Sequence, residues 1–507
     1  MYSRLEWRWL VLGWVGLVPW LAVLDRAGSL RAALALGWLM SVTFTLAVFG
    51  WFALGIRTYA DLSLLSAGAL LAVVAPLVQP QFLTFAAARH LARSRSGIAT
   101  TAIVGACVYV GSEWMMPKLF GDTLGHGLYA SVWMRQAADL AGAPGLSLIL
   151  LVANAAALAA ARGRRGRAAV VPLSCVALLA VGLCAYGAFR LRRLDAAAPP
   201  NAPLTAGIVQ GNLSHYDQMR AERGTYATVR TIVDTYFAMS SELLARAPLD
   251  LLVWPETVYP TTFGSPKSPD GAAFDDEITS FVGRAAVPLV FGSYDTEKGD
   301  EFVAAFFLEP PRGAPPTFAT YRKAWPFPLT ERVPAFLDSP RVRAWLPWLG
   351  TWKPGAGPKV VPFALRGGRT IRIAPLICYD VLDPGLVLAA VREGADLILT
   401  LSNDSWFASG AGPRLHLLGA AFRSIETRRP QLRATNTGIS AVILPDGDIV
   451  ERSDIDTRAT LIARVVPGRW PETLVLAWGD WLGPVALAVG LAGLVALLLA
   501  RSPRDGA

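Results

Sequence analysis

Long apolar runs separated by short basic stretches dominate the N-terminal part of the chain. Six runs approach or exceed the length of a bilayer crossing: 9–24, 32–56, 62–88, 98–116, 140–161 and 168–189. A seventh, 481–500, lies near the other end. A helix needs about 20 mostly apolar residues to span the hydrocarbon core. The first run is short and no small-residue cleavage site follows it, so it reads as a retained span. The third contains Pro76 and Pro80, and a kink or break is expected there because proline donates no amide hydrogen.

From Leu204 to Trp470 the pattern changes to short β-rich runs alternating with amphipathic stretches. Strands are predicted over 205–209, 249–253, 288–292, 303–308, 371–377, 397–401, 439–444 and 461–465. Helices are predicted over 218–245, 275–284, 384–393 and 412–428. The expected architecture is an α-helical membrane domain over 1–195, a layered α/β domain over 204–470 and a closing membrane helix within 474–500.

Composition supports this division. The chain has 507 residues, 53% hydrophobic and only 17% charged, where soluble domains carry about 25% charged residues. Disorder, a collagen-like fibre and a small disulfide scaffold are excluded. The net charge is +9, from 47 Lys and Arg against 38 Asp and Glu. The arginines cluster beside apolar runs, as in Arg89 to Arg95 and Arg162 to Arg167. That is the pattern of cytoplasmic membrane loops rather than of a nucleic-acid surface, so no nucleic-acid partner is expected. If those loops, Arg26 with Arg31, and Arg501 with Arg504 face the cytoplasm, the N-terminus and the α/β domain lie outside. Arg190, Arg192 and Arg193 fall on the outer face against that rule.

Candidate chemistry narrows quickly. Cys107, Cys175 and Cys184 fall in predicted spans, leaving Cys378 alone in the α/β domain. It ends the apolar run from Ile373 to Ile377, and a nucleophile at a strand end is rigidly aimed into a cleft. The four histidines are His90, His126, His215 and His416, two of them in the membrane region. There is no HExxH, no Cys/His metal spacing, no nucleophile elbow of the G-x-S-x-G type and no phosphate loop, so neither a metal nor a cofactor is expected. Glu256 follows the apolar strand 251–253, where burial raises a carboxyl pKa and lets it accept a thiol proton. Lys323 ends another short strand, and a cation beside the cysteine favours thiolate and stabilises an oxyanion.

Trp254-Pro255-Glu256, Lys323 after its strand and Ile377-Cys378-Tyr379, in that order, resemble the Glu-Lys-Cys triad of the nitrilase superfamily. Membrane helices on both sides narrow the resemblance to the apolipoprotein N-acyltransferase family, over nearly the whole chain. Further matching stretches are Ile208 to Asn212, Leu401 to Phe407, Gly412-Pro413 with His416, Arg429 to Gly438, and Glu113-Trp114. The resemblance implies a four-layer αββα domain on the periplasmic side of the bacterial inner membrane. It implies Glu256 as base, Lys323 as oxyanion stabiliser and Cys378 as nucleophile. Glu331 is implied to position the lysine or the amine, Trp406 to be a mobile tryptophan at the mouth, and Tyr379, Asp380 and Asn403 to support the site. The family's Pro-Phe-Gly-Glu reads Pro328-Leu329-Thr330-Glu331, its usual glutamate is Asp380, its Pro-Gln after Asn212 is absent, and its first membrane helix has no counterpart.

The implied reaction moves an acyl chain from a phospholipid to Cys378 as a thioester, then to the N-terminal amine of a diacylglyceryl-cysteine apolipoprotein. The apolar stretch 344–352, with Trp345 and Trp348, reads as a lid dipping into membrane lipid. The alternatives are a membrane-tethered amidase, in which water resolves the thioester, and a non-catalytic lipoprotein-binding scaffold.

Overall fold

The computed structural model describes residues 9–500, apart from 117, 164–165, 198, 200, 215, 312–315, 336, 347 and 408–409 and the side chains of 59 and 217. Arg164, Arg165, Arg501 and Arg504 of the expected basic loops, together with His215, lie outside the described residues. The chain divides into two compact units, one of residues up to 196 with those from 472 onward, the other of residues 197–471.

The first unit is helical. Five helices are long and apolar enough to cross a membrane: Leu30–Phe49, Ile98–Met115, Met134–Arg162, Arg167–Ala196 and Leu482–Leu499. Leu64–Val78 and Gln81–Arg93 are together long and apolar enough for a sixth if the pair is one span, and they are bent by 54° where Gln79 and Pro80 interrupt the helix. Ser41 Oγ donates to the Gln79 carbonyl at 2.7 Å, satisfying a buried backbone group beside the break. The expected first span exists as two short helices, Leu10–Val15 and Val18–Leu24. Asn154 joins them, donating to the Gly13 carbonyl at 2.8 Å and accepting from the Leu17 amide at 2.9 Å. The second predicted span is interrupted at Gly50 and Trp51 before a further helix, Phe52–Ala60.

Two buried aspartates in this unit are paired with arginines. Asp25 takes a two-pronged contact from Arg89 at 2.8 and 3.0 Å and a third from Arg162 at 2.6 Å. Asp25, Arg89 and Arg162 thus mark one end of the bundle, as the alternation of spans requires. Arg190, anomalous by the loop rule, is held by Asp139 at 2.6 Å, and Tyr186 donates to the same carboxylate at 2.7 Å. Its charge is compensated internally, which removes much of its force as a topology signal.

The second unit is built on two six-stranded sheets. The first holds β1 (Leu204–Gln210), β2 (Leu251–Val253), β3 (Leu289–Glu297), β4 (Asp300–Leu308) and β5 (Phe318–Arg322). The second holds β6 (Val361–Ala364), β7 (Thr370–Ile377), β8 (Leu397–Ser402), β9 (Gln431–Thr435), β10 (Ala441–Ile443) and β11 (Ile449–Arg452). The last strand, β12 (Ala459–Val465), returns to pair antiparallel with β1. The orders are β12-β1-β2-β3-β4-β5 and β11-β10-β9-β8-β7-β6. Each sheet has three central parallel strands, β1-β2-β3 and β7-β8-β9, flanked by antiparallel ones.

Period-two alternation separates the layers. Ala206, Ile208, Val303, Ala305 and Phe307 meet Ile373, Leu399, Leu432 and Ala434 in a core between the sheets. Val209, Ala304, Phe306 and Leu308 face the other way, packing with Val229, Ile232, Phe274 and Ile278 of the helices Tyr216–Arg246 and Pro269–Ala285. Helices Pro384–Arg392 and Ala411–Thr427 belong to the second sheet's half, completing αββα. Structure and expectation differ in detail: β6, β9 and β11 were not expected, and the helix at Pro269–Ala285 starts six residues earlier.

Candidate active site

Parallel strands β2, β7 and β8 deliver Glu256, Cys378 and Asn403 beyond their C-terminal ends, and antiparallel β5 delivers Lys323. Cys378 is the first residue beyond β7 and takes a left-handed backbone conformation, φ +49°. A residue with a Cβ enters that region at a cost of roughly 1–2 kcal/mol, and it persists only where neighbours hold it. Cys378 is 7% exposed. The Cys378 carbonyl accepts a hydrogen bond from His416 Nε2 at 3.0 Å.

Glu256 arrives from the first sheet. Trp254-Pro255-Glu256 leaves β2 lying flat on β3: the Trp254 amide donates to the Val290 carbonyl at 2.8 Å and the Gly292 amide to the Pro255 carbonyl at 2.9 Å. A Cβ on Gly292 would stand 2.5 Å from Glu256 Cα, so only glycine allows this approach. Glu256 Oε1 accepts from Lys323 Nζ at 3.1 Å, and Oε2 from the Asn403 amide at 2.9 Å. That second contact ties the end of β8 to the carboxylate.

Lys323 follows β5. Its amide donates to the Val303 carbonyl at 2.8 Å and its carbonyl accepts from Gly355 at 2.7 Å. Its side chain is 1% exposed and reaches Glu331 Oε1 at 2.7 Å as well as Glu256. The turn carrying Glu331 is built without glycine. Leu329, not Thr330, takes the left-handed conformation, φ +71°, and Glu331 still meets both Lys323 and the Phe327 amide. Gly350 packs beneath, where a Cβ would stand 2.3 Å from the Glu331 carbonyl.

Burial and charge set the protonation states. Burial pushes Glu256 up to about 7; Lys323 pulls it back and Glu331 pushes it further. Burial alone would lower Lys323, but the carboxylates of Glu256 and Glu331 override it and hold the ammonium well above its ordinary value. Burial, then the charge of Glu256, pushes the Cys378 thiol well up, against the pull of Lys323. The single cation expected to favour thiolate is therefore outweighed, and the resting group is a thiol beside a carboxylate able to take its proton.

Asp380 sits behind the elbow. It accepts from Tyr321 Oη at 2.8 Å, the Ile377 amide at 2.9 Å and the Trp325 amide at 2.8 Å, linking β7, β5 and the lysine loop. Burial raises it to about 6. One methylene shorter than glutamate, it still fills three donors. Asn403 Oδ1 accepts from Asn436 Nδ2 at 2.8 Å, and Asn436 Oδ1 accepts from the Leu213 amide at 3.0 Å. Tyr379, Phe327, Trp406 and Phe407 form a chain of rings with centroids 5.0, 5.1 and 4.1 Å apart. Trp345 ends the short helix Pro340–Trp345 and is 80% exposed, whereas Trp348 is half-buried; Pro347 between them lies outside the described residues. The stretch expected to be loop-like thus begins in a helix, capped by Ser339, whose side chain accepts from the Val342 amide.

Sequence reasoning gave no role to Asp404, Arg433 or Asn436. Asp404 accepts from Ser402 Oγ at 2.5 Å and Arg433 Nη2 at 2.9 Å, and its Oδ1 lies 3.0 Å from His416 Nδ1. The signal was present in β9: Gln431, Arg433 and Thr435 are polar at alternate positions, yet all are buried. Cys378, Asp404 and His416 offer ligand atoms within 4.8 Å of one another. They suit a metal poorly, because Arg433 places a guanidinium on Asp404 and His416 and the far ring nitrogen serves a carbonyl.

Comparison with known proteins agrees. The Carbon-nitrogen hydrolase family model matches residues 205–474, and the Apolipoprotein N-acyltransferase N-terminal domain model matches residues 2–156. An apolipoprotein N-acyltransferase of Caulobacter vibrioides is 30% identical, covering 74% of this chain and 67% of that one. The chain belongs to the apolipoprotein N-acyltransferase family. Members from Gloeobacter violaceus and Bdellovibrio bacteriovorus are 29% and 26% identical over 98% and 91% of this chain, and 91% and 85% of theirs. Among solved structures, a nitrilase-superfamily protein of Saccharomyces cerevisiae aligns with a TM-score of 0.39 at 16% identity over 56% of this chain and 97% of that one. An amidase from Nesterenkonia sp. gives 0.37 at 18% over 57% and 98%. The fold is established by the chain's own sheets and by the family model.

Proposed function

We propose that this protein transfers a fatty acyl chain from a phospholipid to the N-terminal amine of a diacylglyceryl-cysteine apolipoprotein, by way of a thioester on Cys378. Glu256 takes the Cys378 proton as the sulfur attacks the phospholipid ester carbonyl. The ester C–O bond breaks, Glu256 returns the proton to the departing alkoxide, and lysophospholipid leaves. The amine of the acceptor attacks the thioester, Glu256 receives the amine proton, and the Cys378 sulfur leaves and is reprotonated. Lys323 and the backbone N–H of Tyr379 stabilise the oxyanion in both halves.

The observation that carries this reading is the elbow at Cys378, with its thiol in the field of a carboxylate titrating at about 7 and a fixed ammonium. A base titrating near neutral pH is matched to shuttling a proton both ways. Glu331 serves by holding Lys323, and Asn403 by holding Glu256. The helical unit and its basic loops support residence in a bacterial inner membrane with the α/β unit on the periplasmic side. Trp345, exposed at a helix end, fits contact with membrane lipid.

Mass spectrometry of the intact protein after exposure to phospholipid vesicles tests the reading. A fatty-acyl adduct on Cys378, absent from Cys378→Ala and discharged by a diacylglyceryl peptide, is expected. An adduct discharged by water as fast as by the amine would favour the amidase, and no adduct would favour the scaffold. Trp345→Ser is expected to raise the KM for vesicle phospholipid about tenfold with kcat unchanged, checked by steady-state assay.

A further inference from the structure

His416 takes no part in the scheme above, yet it touches the nucleophile's backbone. The carbonyl of Cys378 can only accept, so His416 Nε2 at 3.0 Å carries the hydrogen. The opposite nitrogen is set from behind. Arg433 Nη2 lies 3.0 Å from Nδ1 and 2.9 Å from Asp404 Oδ2, and an arginine N–H can only donate. Asp404 Oδ1 stands 3.0 Å from the same Nδ1 and can only accept, so Nδ1 meets a donor and an acceptor, and it is the Cys378 carbonyl that assigns a hydrogen to Nε2. Ser402 Oγ, at 2.5 Å from Asp404 Oδ1, fixes that carboxylate in turn. All four side chains are buried, and the Phe407 ring lies 5.9 Å from the imidazole.

The peptide joining Cys378 to Tyr379 is the one whose N–H serves the oxyanion in the mechanism above. In a trans peptide the C=O and N–H point in opposite directions across one plane. A donor on the carbonyl therefore fixes where the N–H points, and it strengthens that N–H as a donor by polarising the shared amide. It also holds the left-handed conformation that Cys378 adopts at a cost.

We propose that His416 is a positioning residue for acyl transfer: by donating to the Cys378 carbonyl it orients and polarises the Cys378–Tyr379 peptide whose N–H receives the oxyanion. Asp404, Arg433 and Ser402 hold the ring in place from its other edge. The inference rests on Cys378 being the nucleophile.

The test compares His416→Phe, which keeps a ring and removes the donor, with His416→Gln, whose side-chain amide N–H can reach the same carbonyl. Removing one oxyanion donor outright costs about 10²- to 10³-fold in kcat, so losing only its support is expected to cost roughly tenfold. That loss should fall on the rate of thioester formation, with the KM for phospholipid unchanged, and His416→Gln should recover most of it. A thioester formed by His416→Phe at the wild-type rate, a loss confined to KM, or a glutamine variant no better than phenylalanine overturns the proposal. If the phenylalanine variant does not fold, ring nitrogen shifts of histidine-labelled wild-type protein decide: hydrogen on Nε2 is expected, and a ring protonated at Nδ1 alone refutes it. Absence of any adduct on wild-type Cys378 removes the nucleophile itself and this inference with it, whereas equal adduct rates with and without the imidazole remove the inference alone.

Discussion

Two buried carboxylates in the α/β unit experience opposite electrostatics. Glu256 is pushed up to about 7 by burial, and the cation that pulls it back, Lys323, is shared with Glu331. Asp404 is buried at least as completely, and burial would raise it too. The Arg433 guanidinium, with His416 and Ser402, overrides that and holds Asp404 well below the ordinary carboxylate range. Environments that drive carboxyl groups apart separate those that move protons from those that hold structure. A carboxylate whose cation is shared is poised to titrate, and one whose cation is its own is locked as an anion.

The largest expected effect falls on the shared side. Glu256→Gln removes the base but keeps the shape, and thioester formation on Cys378 should slow by about 10³- to 10⁴-fold, read by intact-mass kinetics. The amide oxygen can still accept from Lys323, but the NH2 then faces the Asn403 amide, so the unfolding midpoint is measured beside the kinetics to separate lost chemistry from lost stability. A variant loading Cys378 within tenfold of wild type would erase the distinction between the two carboxylates.

Asp404→Asn probes the locked side. It leaves Arg433 buried without its anion, and breaking such a pair costs about 3–5 kcal/mol. The loss should appear as a lowered unfolding midpoint before it appears as altered chemistry. Unchanged stability with abolished loading would reverse the assignment and make Asp404 the proton carrier.

Much of the shared side was legible in the chain, because Glu256 and Cys378 each end an apolar run that a period-two reading recognises as a buried strand. The locked side was not. Gln431, Arg433 and Thr435 alternate with Leu432 and Ala434 as on a solvated strand, but helix Ala411–Thr427 belongs to that half of the unit and all three are buried. Polar alternation reports that one face differs from the other, not that it is wet. The short strands β6 and β11 were missed for a related reason: their pairing with β7 and β10 is specified by register across the sheet, which local pattern does not contain. The helix Pro340–Trp345 was hidden behind its aromatic residues, although Ser339 followed by Pro340 is a start signal.

A smaller effect sharpens the contrast through pH. Thioester formation needs Glu256 ionised, so its rate should climb as pH rises through about 7. Glu331→Gln removes the negative charge that pushes Glu256 up, so Glu256 should titrate lower and the acidic limb of the profile should move to lower pH. The plateau should also fall about tenfold as Lys323 loses its 2.7 Å partner. A limb that moves to higher pH, or stays fixed, would mean that Glu331 does not act on Glu256 through charge.

The smallest effect concerns the turn that brings Glu331 to Lys323. Leu329 holds φ +71°, a conformation costing a side-chain-bearing residue roughly 1–2 kcal/mol. Leu329→Gly removes that strain but adds freedom to the unfolded chain, worth about 0.5–1 kcal/mol the other way. A net gain of about 0.5 kcal/mol is expected, seen as a small rise in the unfolding midpoint. Thr330 stands where the family's glycine would be, yet Leu329 takes the left-handed position here. Thr330→Gly therefore relieves nothing and should destabilise by about 0.5–1 kcal/mol through the unfolded state alone. Opposite signs at adjacent positions would show that Leu329, and not the residue standing where the family has glycine, carries the strain of the turn that delivers Glu331 to Lys323. Stabilisation by Thr330→Gly instead would place the strain at Thr330 and overturn the assignment to Leu329.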